Sequence, residues 1–326
     1  MSFESGTATN FQDLRDKLVT FLTTDSDLVA AGQEWEVVWT GSGRMPTAQE
    51  DIVLRGPGLA GADQVLVGLR SDPQPTGDRY NYGIRGVVGV NSSATNWDQH
   101  TNASDPVYFY CGNVAMPYWF IANGRRFIIV VRISSTYQTA YGGLFLPYAP
   151  PNLYPYPLAV GGCAAVNNGR YSDTGDQFHF FCDPGTAGNL KVLRYDNVWV
   201  AFQNWTTSDT PNRRNANQRT VAPWNPGWGT THYALDNVTQ AVSYRQNFLN
   251  KMQPAIGGDY ALTPVSLVHY VDPKAILGVL QGVYHIPGFS ISAESIITQD
   301  SKDYLCIPDI YREGNESYCA IELNGD

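Results

Sequence analysis

Five histidines, five cysteines and 30 acidic side chains are the groups on which this chain could found catalysis or metal binding, so their spacing comes first. His100, His179, His232, His269 and His285 are dispersed along the chain. His179 and Cys182 come nearest to a ligand pair, but residues three apart in a strand point to opposite faces, and no second pair follows. There is no G-x-S-x-G elbow, and no Cys or His signature of a nucleophile. The glycine-rich "RGPGLAGAD" (55–63) lacks both the following Lys-Ser/Thr and the strand-turn-helix setting of a phosphate-binding loop, and reads as a turn before a strand. A glycosidase needs only two carboxylates roughly 5 to 10 Å apart, contributed from anywhere in a fold, and no particular pair stands out. The expectation is a chain without catalytic residues, metal or cofactor.

Aromatic side chains offer a different chemistry. "PWNPGWG" carries Trp224 and Trp228, and "LFLPYAPPNLYPYPLAVGG" (144–162) packs five prolines and three tyrosines between apolar ends. Tyr154, Tyr156, Trp224 and Trp228 are therefore candidate contacts for a protein interface or for the faces of a sugar, set against the plainer roles of core filling and loop support. The X-Pro steps fix φ and remove amide donors, so residues 147–157 are expected outside any sheet, running extended. The apolar ends tuck such a strap into the fold, unlike the polar, disordered surroundings of a polyproline signalling ligand. Tyr148, Tyr154 and Tyr156 are expected to clamp it.

What must position these residues follows from composition. The 326 residues are 43% hydrophobic and 13% aromatic but only 16% charged, which is too apolar for disorder and enough for a sizeable core. With 31 Gly, 20 Pro and 20 Tyr, the chain suits many short strands joined by turns. The net charge of −9 and the lack of any Lys/Arg block argue against nucleic acid as a partner. "MSFESGTATNFQDLRDKL" has no basic-then-apolar leader, and no run of about 18 apolar residues occurs, so synthesis in the cytosol without a membrane span is expected. An odd number of scattered cysteines (Cys111, Cys163, Cys182, Cys306, Cys319) reads as buried free thiols, and the N-x-S/T triplets at Asn91, Asn102, Asn204, Asn237 and Asn315 as compositional accidents.

One helix opens the chain: Asn10 caps it, Asp13 takes the third position, and Phe11, Leu14, Leu18 and Phe21 form one stripe. A shorter one over 26–31 stops at Gly32. Strands are predicted at 34–40, 63–71 and 80–90, and a hairpin joins 118–122 to 125–133 through Asn123-Gly124, the favoured pair for a type I′ turn. Phe127 to Val131 are apolar at five successive positions and should be buried on both faces. Further strands are predicted at 177–183, 190–196 and 198–204, a helix at 238–252, and a C-terminal meander with turns at 299–302 and 313–316. The fold class is mainly β, an antiparallel, jelly-roll-like β-sandwich with a short N-terminal helix and a C-terminal β-meander. Residues 61–239 are assigned to the main sandwich, and residues 1–60 are expected to pack with 240–326, with candidate boundaries at 224–239 and 251–260.

The run "YWFIANGRRFIIVVRISSTYQTAYGGLFLPYAPPNLYPYPLAVGG", the opening "GTATNFQDLRDKLVTFLT" and the closing "GVYHIPGFSISAESIITQDSKDYLCIPDIYREGNESYCAIEL" together resemble virion structural proteins of tailed bacteriophages. The resemblance implies a non-enzymatic subunit of the tail, baseplate, collar or neck. Such a subunit would be assembled in the host cytoplasm, self-associate as a homo-oligomer and bind other virion proteins. It brings no catalytic residues with it. The alternative is a module that binds or cleaves host-surface glycan on a β-sandwich.

Overall fold

The computed structural model describes residues 1–41, 50–58, 65–173, 177, 179–181, 188–202, 219–222, 259–269, 275–310 and 318–325. The first part of the chain forms β1 (Ser2–Ala8), α1 (Phe11–Thr24), α2 (Ser26–Ala30), β2 (Glu36–Gly41), β3 (Asp51–Gly56), β4 (Val65–Gln74), β5 (Arg79–Val87) and β6 (Val107–Phe109). The middle supplies β7 (Met116–Ala122), β8 (Arg126–Ile133), β9 (Thr136–Leu144), β10 (Leu146–Pro147), β11 (Leu158–Gly161), β12 (Leu190–Leu193) and β13 (Trp199–Phe202). The remainder gives β14 (Arg219–Ala222), β15 (Thr263–His269), β16 (Ala275–Ile286), β17 (Ile296–Gln299), β18 (Lys302–Pro308) and β19 (Tyr318–Glu322).

The strands make three antiparallel sheets. A central sheet runs β1-β7-β8-β9-β11-β12-β13, a second runs β2-β3-β4-β5-β6, and a C-terminal sheet runs β14-β15-β16-β19-β18-β17, with β10 added on β16. Among the described residues most neighbours follow chain order; exceptions include β1 beside β7 and β16 beside β19, and the order β16-β19-β18-β17 is that of a Greek key, so the antiparallel, sandwich-like arrangement of sheets is as expected. Strands β17, β18 and β19 pair in succession, which is the predicted C-terminal meander.

The central sheet is covered on both faces, and β8 shows why its sequence is continuously apolar. Phe127, Ile129 and Val131 enter a core shared with the second sheet and α1, while Ile128 and Val130 enter a core shared with the C-terminal sheet. Side chains alternate along a strand, so five successive apolar residues fill two cores at once.

Helix α1 forms as predicted. The Asn10 side chain accepts the Asp13 N–H (2.9 Å), and Asp13 in turn accepts the Thr9 N–H (2.7 Å). Its stripe does not meet the C-terminal strands, however. Phe11, Leu14, Leu18 and Phe21 pack with Leu69, Tyr82, Phe109 and Ile129, between the central and second sheets. Among the described residues, Met1 and Phe3 of the N-terminal region pack against the C-terminal core. The expected division at residue 60 fails for the same reason: β1 pairs along its whole length with β7, and β3 pairs with β4, so residues 1–60 supply strands to the first two sheets.

The hairpin β7–β8 is in the predicted place, but its turn is not type I′. Neither Asn123 nor Gly124 has a positive φ. Gly124 and Arg125 form the tip, the Asn123 N–H donates to the Arg126 carbonyl (3.0 Å), and Asn123 Oδ1 accepts the N–H groups of Arg125 (2.9 Å) and Arg126 (3.0 Å). The Asn123 carbonyl is taken by the Trp35 indole N–H (2.8 Å). Gly124 is required by close approach instead: a Cβ there would lie 2.8 Å from Pro57 Cγ.

Residues 177 and 179–181, predicted as strand, are buried but not in one. The His179 N–H donates to Asp309 Oδ1 (3.0 Å) instead of to a ladder. The predicted helix at 238–252, residues 203–204 and both candidate boundaries but for Asp259 and Tyr260 lie outside the described residues.

Candidate functional site

The proline-rich strap is the part of the molecule where sheet, turn and exposed aromatic surface meet. It leaves the central sheet at the end of β9, crosses to the C-terminal sheet, and returns as β11 beside β9. On the way Leu146 pairs with Val279 and Pro147 with Gly278, and the Tyr148 N–H donates to the Leu277 carbonyl (3.0 Å). Part of the segment expected outside any sheet is thus paired, which a proline tolerates in a two-residue strand with one free side. Nor is the strap extended throughout: the N–H groups of Leu153 (2.9 Å) and Tyr154 (3.1 Å) both turn back to the Pro150 carbonyl. The Phe145 N–H reaches the Pro157 carbonyl (2.9 Å), closing the base of the excursion.

Two tyrosines two residues apart at the end of that turn differ in their surroundings. Tyr154 is only 2% exposed, and its hydroxyl donates to the Leu193 carbonyl. Its ring meets Phe145 edge-on at 5.4 Å and Tyr195 at 6.3 Å, so it fastens the strap to the β12–β13 hairpin. Burial pushes its hydroxyl pKa up, keeping it a neutral donor. Tyr154 is therefore a clamp, as one of its two predicted roles required, and has no surface to offer a ligand. Tyr156 is 42% exposed, and Tyr148, expected to clamp, is 65% exposed. Trp224 and Trp228 lie outside the described residues.

The strap itself carries no charged side chain. Of the eleven large apolar side chains exposed among the described residues, Leu146, Tyr148, Leu153 and Tyr156 belong to the strap. Ile276 precedes the residue that accepts the Tyr148 N–H, and Tyr195 and Val198 lie in the hairpin turn that Tyr154 touches. Seven of eleven thus fall on the strap and the two segments in contact with it, a clustering that scattered surface residues do not show. Residues 133–169 contain no Asp, Glu, Lys, Arg or His at all. The charges beside Tyr195 cancel: Arg194 Nε donates to Asp196 Oδ1 (2.9 Å), which holds that carboxyl below its usual range and raises the guanidinium pKa. Leu146, Leu153, Tyr195 and Ile276 were not among the predicted contacts. The long charge-free run was the sequence signal that could have found the strap's share of them.

Elsewhere the titratable groups are bound up in structure. On the outer side of the second sheet Asp51 takes Arg70 through both oxygens (2.6 and 2.7 Å), and Arg85 bonds Asp98 (2.9 Å). The two guanidiniums lie 4.3 and 4.8 Å from the Trp97 ring, completing a cation–π sandwich. His100 Nδ1 accepts the Asn91 N–H (3.2 Å), and burial, with Arg85 nearby, lowers its pKa. Cys111, Cys163, Cys306 and Cys319 are buried free thiols whose pKa values burial raises, to about 12 for Cys163 and Cys306. Among the described residues no group of three His, Cys, Asp or Glu is placed to hold a metal ion, and no helix is long and apolar enough to cross a membrane. Compared with models of known protein families the chain matches none, and no curated protein sequence matches it.

Proposed function

We propose that this chain is a non-enzymatic structural subunit of a tailed-phage particle, in the tail, baseplate, collar or neck, and that it meets neighbouring virion proteins through the strap face. The observation that carries the reading is the concentration of exposed tyrosine and leucine on a strap without charged side chains. Such a face suits a protein interface, whose buried centre favours aromatics and excludes charge. The resemblance of three separated segments to phage virion proteins supplies the particle. The test is mass spectrometry of washed, intact virions of a phage encoding this chain. The chain should be present at structural copy number, and particles carrying Tyr148→Asp and Leu153→Asp should incorporate it poorly. Absence of the wild-type chain from washed virions would overturn the proposal.

A second reading, host-glycan binding on the same face, draws on the exposure of Tyr156 and Tyr148, whose rings could stack on sugars. It predicts hits for the isolated chain on a glycan array. Loss of those hits in Tyr156→Ala would place the sugar on the strap.

A further inference from the structure

We infer that the outer edge of β1 is a docking site for an extended segment of a different protein, which adds a strand to the seven of the central sheet; this rests on the particle reading above for the source of that partner. Strand β1 closes one end of that sheet and is paired on one side with β7 at all seven positions. In an antiparallel pair every second residue turns its N–H and C=O away from its neighbour, so the other side of β1 carries a row of such groups. Among the described residues no hydrogen bond reaches the backbone of Ser2–Ala8 except from β7. Exposure along a strand ordinarily alternates between its faces, but Ser5, Gly6 and Thr7 are exposed in succession, so the middle of this edge is open to water.

Sheet edges are normally guarded by a lysine, a proline, a bulge or a covering segment. Both ends of the second sheet are guarded in this way. Strand β2 has a register shift between Val37 and Trp39 and an ion pair from Glu36 to Arg55. Beyond β6, Tyr108 exchanges both of its backbone bonds with Ala164. Strand β1 has none of these devices: its seven pairs run in unbroken register, and it contains no Lys, Arg or Pro. Its one charge, Glu4, accepts the Tyr118 hydroxyl (2.6 Å) and is thereby held toward β7.

The occupant is set by what the edge offers. A row of backbone donors and acceptors at strand spacing is matched by another extended segment, the recognition mode of strand addition, whereas a helix presents no such row. A second copy of this chain is a poor match. Pairing β1 on β1 would set Ser5, Gly6 and Thr7 against equally small residues, and would bring together two chains that each carry a net charge of −9. Cross-strand pairs stabilise a ladder chiefly through β-branched and aromatic side chains, so the segment that fits carries those, without acidic residues, opposite Ser5, Gly6 and Thr7.

The experiment places the photo-reactive residue p-benzoylphenylalanine at Thr7 of the full chain, and irradiates both phage-producing cells and the washed virions they release. Thr7 should crosslink to one short segment of a different protein. In the complex purified with that protein, alternate amides between Phe3 and Ala8 should exchange hydrogen roughly tenfold more slowly, or slower still, than in the chain alone, while the amides that face β7 keep the protection they already have. Ser5→Lys combined with Thr7→Lys restores a guard to the edge, and should cut recovery of the partner roughly tenfold without moving the melting temperature. Crosslinks confined to other copies of this chain, slowed exchange without alternation, or recovery indifferent to the two lysines would each overturn the inference. A chain that is present in washed virions but crosslinks to nothing would also overturn it, and would leave the structural-subunit proposal standing. A crosslink with alternating protection in cells, from a chain absent from virions, would sink that proposal and keep this one.

Discussion

Replacing Gly278 by Ala tests whether the strap is stitched to the C-terminal sheet. A Cβ on Gly278 would overlap the Leu146 carbonyl oxygen and come within 2.8 Å of Pro147 Cα. Both obstacles are backbone, so no rotamer relieves them, and the strap must lift off β16. The φ of Gly278 is not positive, which leaves steric approach as the whole cause. Lifting forfeits the pairing at Leu146 and Pro147 and the bond from Tyr148 N–H to Leu277. Counting two or three backbone hydrogen bonds at about 1 kcal/mol each gives a loss of about 2–3 kcal/mol. That corresponds to a fall in melting temperature of roughly 5 °C. Hydrogen exchange locates the change: the Tyr148 amide should lose its protection, while amides of β8 keep theirs. Tyr154→Phe, which deletes one hydroxyl donor on the opposite side of the strap, should cost about 1 kcal/mol and leave the Tyr148 amide protected. A Gly278→Ala protein with unchanged melting and a protected Tyr148 amide would refute the stitching.

Gly124→Ala and Gly124→Asn should destabilise the hairpin alike, since Pro57 rather than a positive φ excludes a side chain; recovery by Asn, which tolerates positive φ, would restore the type I′ turn. Iodoacetamide should leave Cys111, Cys163, Cys306 and Cys319 unlabelled in the native chain and label them after urea, because burial raises their pKa values; rapid native labelling would show that one of them is accessible. The pKa of His100 lies below its ordinary 6.5 in the fold, so the unfolded chain takes up the proton first: its contribution is intact above about 6.5 and is lost as pH falls from there through the depressed value. His100→Gln should flatten melting temperature against pH over that window, and an unchanged slope would remove His100 as the cause.

Local structure was legible where local chemistry decides it. The Asn10 cap and the spacing of Phe11, Leu14, Leu18 and Phe21 define α1, and the run Phe127 to Val131 announces a strand buried on both faces. What covers those faces was not legible, because partners come from far along the chain. The stripe of α1 finds Leu69, Tyr82 and Phe109, and the Asn123 carbonyl at the turn is taken by Trp35, 88 residues away. Strand β1, "SFESGTA", carries no alternating apolar pattern and exists because β7 offers seven paired positions. Strand β3 is a short apolar run between turn-rich pieces, and five of its six positions are buried because Ile52 and Leu54 enter the core beneath the sheet while Val53 joins the cluster around Trp97 on its other face.

The strap joins these two levels. Its prolines were a sound sign of a built-in crossover, yet they could not reveal that the chain turns at Pro150, or that Tyr154 is buried while Tyr156 is exposed. This division separates stability from association. Tyr154 acts inward, on Phe145, Leu193 and Tyr195, so its loss must disturb both the fold and whatever docks on the strap. Tyr148 and Leu153 spend most of their surface outward, and the strap's grip on the sheets uses the Tyr148 backbone rather than its ring. Substitutions there should change association while melting stays fixed. Exposed leucine and tyrosine side chains on an uncharged strap are costly to leave in water, and covering them with a partner lowers that cost.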